Sequence, residues 1–238
     1  MSELLTAEQL SSVLEKQIAQ LAPEWLAEKP YLHERLVGAL ADNPAQLLMP
    51  TMSYEEFLAW ANHVHAEWVE GKVLLMSPAS SRHQDIVVFL VTLLNIYVTT
   101  RNLGRVKTAP FQMRLQQPPR GREPDILFVA QAHLERFTPQ YLDGPADLVV
   151  EVISPESSGR DRGEKFYEYE MAGVREYWLI DPQREQVEFY ELNEQGQYML
   201  ALGGHAGEYQ SKAIPGLTLD ATWLWQDPPP PVWAATQT

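Results

Sequence analysis

Two apolar runs near the middle of the chain carry carboxylates, and they constrain the fold more than any other feature. Residues 124–129 read Pro-Asp-Ile-Leu-Phe-Val, and residues 147–155 read Asp-Leu-Val-Val-Glu-Val-Ile-Ser-Pro. Runs of this composition and length predict buried strands. An unpaired charge in or beside a core costs several kcal/mol. Asp125 and Glu151 therefore need a compensating cation, for which the candidates are a divalent metal held by both carboxylates and a lysine from the next helix.

The candidate lysine lies in the segment that follows the second run. Asp161, Lys165 and Tyr169 are spaced at i, i+4 and i+8, so they share one face of a predicted helix. Gly173 is expected to end that helix. If the helix packs over the end of the sheet that carries Glu151, the ammonium of Lys165 can meet both carboxylates.

This set of groups suits phosphodiester hydrolysis. Carboxylate oxygens hold Mg²⁺, the metal lowers the pKa of bound water, and a lysine orients or deprotonates the attacking water. The backbone carbonyl of Val152 is a candidate third oxygen ligand. A structural interpretation stays open, in which Glu151 pairs with an arginine and Asp161 with Lys165 is an exposed pair worth about 0.3–0.5 kcal/mol. The apolar neighbours of Glu151 on both sides favour the functional interpretation.

Composition excludes several other classes of site. The chain has 238 residues, a net charge of −14 and no cysteine. Disulfides, thiolate zinc sites and a cysteine nucleophile are therefore ruled out, which fits a cytoplasmic protein. We expect no membrane-spanning segment, because the apolar stretches are shorter than the roughly 18 residues that such a helix needs.

The charge is unevenly distributed along the chain. Residues 86–122 contain no Asp or Glu, and the stretch leads directly into Asp125. It is either a solvated pair of strands with a loop or a surface for nucleic acid. The candidate contact residues are Arg101, Arg105, Lys107, Arg114, Arg120 and Arg122.

Local signals predict an α/β fold, with a central mixed sheet and helices on both faces. We expect three parts: a helical extension over 1–50, a domain over 51–226 and a disordered Pro-rich tail over 227–238. Helices are predicted after Ser53, from Ser80 or Ser81 to Tyr97, around 132–137 and over 161–171. We also predict a hairpin at Glu70-Gly71 and a Pro-rich loop over 116–121. The remaining strands are predicted over 104–115, 176–180, 186–192 and 197–202.

Four strings in this chain occur together in one known family. They are Glu123-Pro124-Asp125, the run 147–155, Asp161 with Lys165, and the Gly-Val-Arg-Glu-Tyr-Trp of 173–178. Together they resemble the Uma2 family of restriction-endonuclease-like proteins, which is placed in the PD-(D/E)XK nuclease superfamily, over about residues 53–220.

The resemblance implies a fold and a set of roles. It implies that Asp125 and Glu151 are the two metal carboxylates and that the lysine is Lys165, since the superfamily's usual lysine position is Ile153 here. Glu67 and His83 match further family positions. The resemblance also implies Mg²⁺ or Mn²⁺ as the cofactor, DNA as the partner and a homodimer as the assembly.

The leading hypothesis is a Mg²⁺-dependent endonuclease acting on DNA. One alternative is a nucleic-acid- or metal-binding module that does not cleave. Another is an assembly protein, in which the N-terminal helices and the Trp-Leu-Trp of 223–225 form an interface or complete a core.

Overall fold

A computed structural model describes residues 52–61, 65–76, 79–155 and 157–232. The chain divides into two compact units, Met1–Ser77 and Pro78–Thr238. The predicted helical extension over 1–50 lies outside the described residues.

The described part of the first unit contains a short helix and a hairpin. Helix α1 is Tyr54–Trp60, and Ser53 with Glu56 forms the predicted capping box at its start. Strands β1 (Ala66–Val69) and β2 (Lys72–Leu75) pair antiparallel. Glu70 and Gly71 between them have φ values of 49° and 86°, which is the left-handed geometry of a two-residue hairpin turn. Both predictions are confirmed.

The described part of the second unit contains the remaining strands and two long helices. The helices are α2 (Ser81–Thr100) and α3, which consists of Ser158–Arg160, a π-helical turn Asp161–Lys165 and Phe166–Ala172. Two 3-10 helices span Gln131–Arg136 and Ala221–Trp225. The strands are β3 (Gly104–Thr108), β4 (Gln112–Gln116), β5 (Pro119–Arg122), β6 (Ile126–Ala130), β7 (Tyr141–Asp143), β8 (Leu148–Val152), β9 (Glu176–Asp181), β10 (Gln186–Leu192), β11 (Tyr198–Gly204), β12 (Glu208–Gln210) and β13 (Thr218–Asp220).

A six-stranded sheet with the order β11-β10-β9-β8-β6-β3 forms the centre of this unit. Strands β8 and β9 are parallel, whereas their neighbours pair antiparallel, so the sheet is mixed. Strand β4 pairs with β5 and β7 in a smaller sheet, and β12 pairs with β13.

Each face of the central sheet carries its own core. The α2-side core combines Ile86, Leu90 and Leu93 of α2 with Val150 and Trp178 of the sheet. The α3-side core combines alternate residues of the same strands with side chains of β4, β7 and α3: Leu127, Val149, Tyr177, Met113, Leu142 and Tyr169. The α/β fold with helices on both faces of a mixed sheet is therefore confirmed.

Helix α2 begins where its cap was predicted. The Oγ atom of Ser80 accepts a hydrogen bond from the backbone N–H of His83 at 3.2 Å. The helix is longer and more apolar than we expected, with a mean hydropathy of 1.3 over an 18-residue window. Its length and composition would suffice to cross a membrane, but 50% of that window is buried inside the protein. A buried core helix has these properties as well.

Three details of the sequence-based prediction are wrong. Residues 104–115 are two strands in different sheets, because the chain turns at 109–111. Residues 119–122 form β5 rather than part of a loop, since β5 closes a hairpin with β4 in which Gln116 lies opposite Pro119. The short strands β7, β12 and β13 were missed, because three-residue strands have too few residues to show alternation.

Candidate active site

Asp125 and Glu151 come together at one end of neighbouring strands. In the antiparallel pair of β6 and β8, Ile126 lies opposite Val150, so the next residue on each side brings Asp125 opposite Glu151. The backbone N–H of Val152 donates to Oδ2 of Asp125 at 2.7 Å. This hydrogen bond holds the Asp125 carboxylate beside Val152, the residue that follows Glu151.

Lys165 compensates the charge of Glu151. Its Nζ lies 2.8 Å from Oε1 of Glu151 and 3.4 Å from Oδ1 of Asp161, and the three side chains are at most 5% exposed. The hydroxyl of Tyr169 donates to the same Oε1 atom at 3.0 Å. The helix face predicted from spacing therefore meets the glutamate on β8.

The π-helical turn of α3 contains both Asp161 and Lys165. Such turns are often found at functional sites. The helix ends at Gly173, whose φ of 83° is the left-handed C-cap conformation expected there.

A buried ion pair anchors α3 to the smaller sheet. Nε and Nη2 of Arg122 lie 2.8 Å from Oε2 and Oε1 of Glu168, and the Arg122 side chain is fully buried. Arg120 also contacts Glu168 through its Nε. Glu168 lies one residue before Tyr169, so this anchor positions the helix segment that faces Glu151.

His83 approaches Asp125 from the first turn of α2. Its Nε2 lies 3.1 Å from Oδ2 of Asp125, and the imidazole is 11% exposed. Burial alone lowers the pKa of His83. The hydrogen bond to Asp125 and the negative charges of Asp125 and Asp161 outweigh that effect, so the pKa of His83 is raised above its ordinary 6.5.

The donor set fits a magnesium ion held by few protein ligands. Among residues 52–61, 65–76, 79–155 and 157–232, no group of three or more His, Asp or Glu side chains forms a metal cage. Mg²⁺ is usually bound by one or two carboxylates, with water and substrate phosphate completing its octahedron. Asp125 and Glu151 supply two such carboxylates. The Asp125 side chain is 20% exposed, which leaves it accessible to an ion.

The remaining predicted residues have different locations. Glu67 lies on β1 in the first unit and is buried. Val152, predicted to offer its carbonyl, contributes its N–H to Asp125.

The six basic candidates fall into two groups. Arg101, Arg105 and Lys107 are exposed, and Arg114 is partly exposed beside the ring of Tyr141. Arg120 and Arg122 instead bind Glu168. Their role as nucleic-acid contacts stays a prediction, and the burial of Arg122 together with the contacts of both guanidinium groups with Glu168 favours a structural role. The sequence separation of 46 residues between Arg122 and Glu168 hid this pair.

Comparisons with known proteins identify a family and a shared fold. The Uma2 family, described as "Putative restriction endonuclease", matches residues 54–222. The uncharacterized protein slr1290 of Synechocystis sp. is 25% identical over 154 residues, covering 63% of this chain and 80% of that protein. A second uncharacterized Synechocystis protein, sll1609, is 24% identical over 136 residues, covering 57% of this chain and 76% of that protein.

A solved structure shares the fold. A crystal structure from Anabaena variabilis, described as a "putative nuclease belonging to DUF820", superposes with a TM-score of 0.56 at 18% identity. The match covers 67% of this chain and 89% of that one. The fold is therefore nuclease-like. Since the family match spans most of the chain, the protein belongs to the Uma2 family.

Proposed function

We propose that this protein is a Mg²⁺-dependent endonuclease that hydrolyses phosphodiester bonds in DNA. The observation that carries the proposal is the meeting of Asp125, Glu151 and Lys165 at one end of β6 and β8. The family's description, "Putative restriction endonuclease", supports both the reaction and DNA as the substrate.

Each residue has a role in this proposal. Asp125 and Glu151 hold the metal, which when bound supplies an activated water and neutralises charge on the phosphate. Lys165 lies 2.8 Å from Glu151. An ammonium only donates hydrogen bonds, so Lys165 orients the water oxygen and stabilises the developing negative charge. Tyr169 holds Glu151 through its hydroxyl.

Two exposed cations on β3 are the proposed track for the phosphate backbone. In the sheet register, Lys107 lies opposite Leu127, and Leu127 lies opposite Val149. Alternate residues of a strand share a face, so Lys107 and Arg105 lie on the face of the sheet that also carries Glu151. This placement supports backbone binding that leads toward the carboxylates.

Cleavage of closed circular DNA tests the proposal. We expect the wild-type protein to nick or linearise supercoiled plasmid with Mg²⁺ or Mn²⁺ and to lose this activity in EDTA. Only an endonuclease can attack a molecule without ends. The Asp125→Ala variant, purified in parallel, is expected to be inactive, and equal cleavage by this variant would overturn the proposal. Metal-dependent DNA binding without products would instead favour a non-cleaving module.

A further inference from the structure

The two carboxylate oxygens of Asp125 have different surroundings. Oδ2 accepts hydrogen bonds from the N–H of Val152 at 2.7 Å and from Nε2 of His83 at 3.1 Å. No residue in the described part of the chain donates a hydrogen bond to Oδ1. One oxygen is thus held by two donors, and the other is available to a ligand.

The position of His83 is itself fixed by the helix cap and by the core beneath α2. Its backbone N–H is bound by the Oγ atom of Ser80 in the helix cap. Ile86 and Val87, in the next turn of α2, are buried in the α2-side core. A carboxylate oxygen only accepts hydrogen bonds, so Nε2 carries the proton. Nδ1 is buried without a hydrogen-bond partner among the described residues. The hydrogen bond of the ring to the Asp125 carboxylate is made by Nε2, and the backbone of Val152 also acts on the imidazole.

We propose that His83 is a positioning residue that holds the Asp125 carboxylate so that Oδ1 faces the metal. The N–H of Val152 fixes one point of the carboxylate, and the imidazole, approaching from a second element, prevents it from rotating about its Cβ–Cγ bond. This inference rests on the proposed metal site. It adds a residue that selects which oxygen binds the ion and that contacts neither the metal nor the substrate.

Metal binding, measured without nucleic acid, tests the role of His83. Titration calorimetry of Mn²⁺ into the full chain gives the dissociation constant. Loss of a group that orients a metal ligand typically weakens metal binding by about 10- to 100-fold. We expect His83→Leu to weaken Mn²⁺ binding by about 10-fold or more. We expect His83→Gln, whose amide nitrogen can take the place of Nε2, to stay within about threefold of wild type, by the same reasoning.

A purely structural role predicts a different pattern. If His83 only fills space, Leu and Gln would have equal effects on Mn²⁺ binding, which would overturn the inference. His83→Asn is a second polar variant whose shorter side chain does not reach Asp125, and it is expected to behave as Leu does. Thermal unfolding without metal shows whether each variant is folded. If His83→Leu is not folded, the Mn²⁺ affinity of His83→Asn decides the test. Wild-type affinity in folded His83→Asn would also overturn the inference.

The variant Asp125→Ala separates this inference from the proposed function. If its Mn²⁺ affinity equals that of wild type, the metal does not bind at Asp125 and both proposals fail. If Asp125→Ala loses Mn²⁺ binding while folded His83→Leu and His83→Asn retain it, the proposed metal site stands and the role of His83 alone is overturned.

Discussion

The ammonium of Lys165 lies 2.8 Å from Oε1 of Glu151, and neither side chain is more than 5% exposed. Glu151 is on the central strand β8, whereas Lys165 is on α3. The two halves of this ion pair therefore come from different elements. In a buried pair, removing one partner leaves the other charge unpaired in the core and typically costs about 3–5 kcal/mol.

The first prediction concerns this pair. Lys165→Met keeps most of the stem volume and removes the charge, so we expect it to lower the free energy of unfolding by about 3 kcal/mol and to abolish cleavage. Urea unfolding and the plasmid assay measure the two effects. The double variant Glu151→Gln/Lys165→Met is expected to recover at least about half of the lost stability, because the buried charge is also removed. If the double variant is no more stable than Lys165→Met, the loss of stability does not come from the unpaired charge of Glu151, which contradicts this prediction.

The second prediction concerns the anchor of α3. Glu168→Ala removes the carboxylate that Arg122 contacts through Nε and Nη2, and we expect a loss of about 3 kcal/mol. Glu164→Ala is the matched control. Glu164 lies 3.5 Å from the same guanidinium but is 68% exposed, so its loss is expected to cost less than about 0.5 kcal/mol. Equal destabilisation by the two variants in urea unfolding would contradict this distinction.

The third prediction concerns DNA affinity. Lys107→Ala removes a cation from the face that carries Glu151, whereas Arg101→Ala removes one whose guanidinium lies 3.8 Å above the ring of Tyr97, a residue of the α2-side core. We expect Lys107→Ala to weaken binding and to reduce the slope of log affinity against log salt by about 1. Fluorescence anisotropy with a DNA duplex in EDTA measures both quantities. The same change in slope for Arg101→Ala would contradict the proposed track.

The fourth prediction concerns Glu176 and pH. Burial raises the pKa of Glu176 above its ordinary 4.5, although hydrogen bonds from Ala213, Ser211 and Lys212 act in the opposite direction. Between 4.5 and the raised pKa the folded state binds more protons at this site than the unfolded state, so stability falls as the pH rises through that window. The variant Glu176→Gln lacks this titration.

The difference in unfolding free energy, wild type minus Glu176→Gln, is therefore expected to decrease as the pH rises through the window and to level off above it. Urea unfolding at steps from about pH 4.5 to 8 checks this sign. A difference that increases with pH would contradict the raised pKa of Glu176.

The fifth prediction contrasts two glycines. Gly104 begins β3 with a φ of 153°, and a Cβ atom there would lie 2.0 Å from the carbonyl oxygen of Val129. Gly104→Ala is therefore expected to destabilise the protein by more than about 2 kcal/mol. Gly163 lies in the π-helical turn, where an added Cβ atom would have no neighbour within 4 Å among the described residues. Gly163→Ala is expected to add up to about 1 kcal/mol of stability. Thermal unfolding of both variants measures these effects. If Gly163→Ala destabilises the protein, the space around position 163 is not open, which contradicts the prediction.

Much of this architecture could be predicted because the signals are local. The cap at Ser80, the apolar face of α2 and the left-handed Gly173 are encoded within a few residues of where they act. The meeting of Glu151 with Lys165 could also be anticipated, since a charge between apolar neighbours requires a partner and the next helix offers a lysine.

The rest depends on contacts between distant segments. The pairing of Arg122 with Glu168 joins residues 46 positions apart, and nothing near Arg122 in the sequence distinguishes it from the exposed cations on β3. The strand β5 contains a proline at its first position, where strands tolerate it. Its pairing with β4 is set by the hairpin rather than by composition.

The separation of Glu151 and Lys165 onto a strand and a helix means that the proposed site is complete only when both elements are in place. Proteins open locally in cooperative segments, and the free energy of opening differs from one element to another. An opening of α3 would withdraw Lys165 and Tyr169 together, whereas Asp125 and Glu151 lie at the ends of β6 and β8. In the proposed mechanism cleavage requires α3 to be closed on the sheet, and amide hydrogen exchange in Phe166–Ala172 measures how often this helix opens.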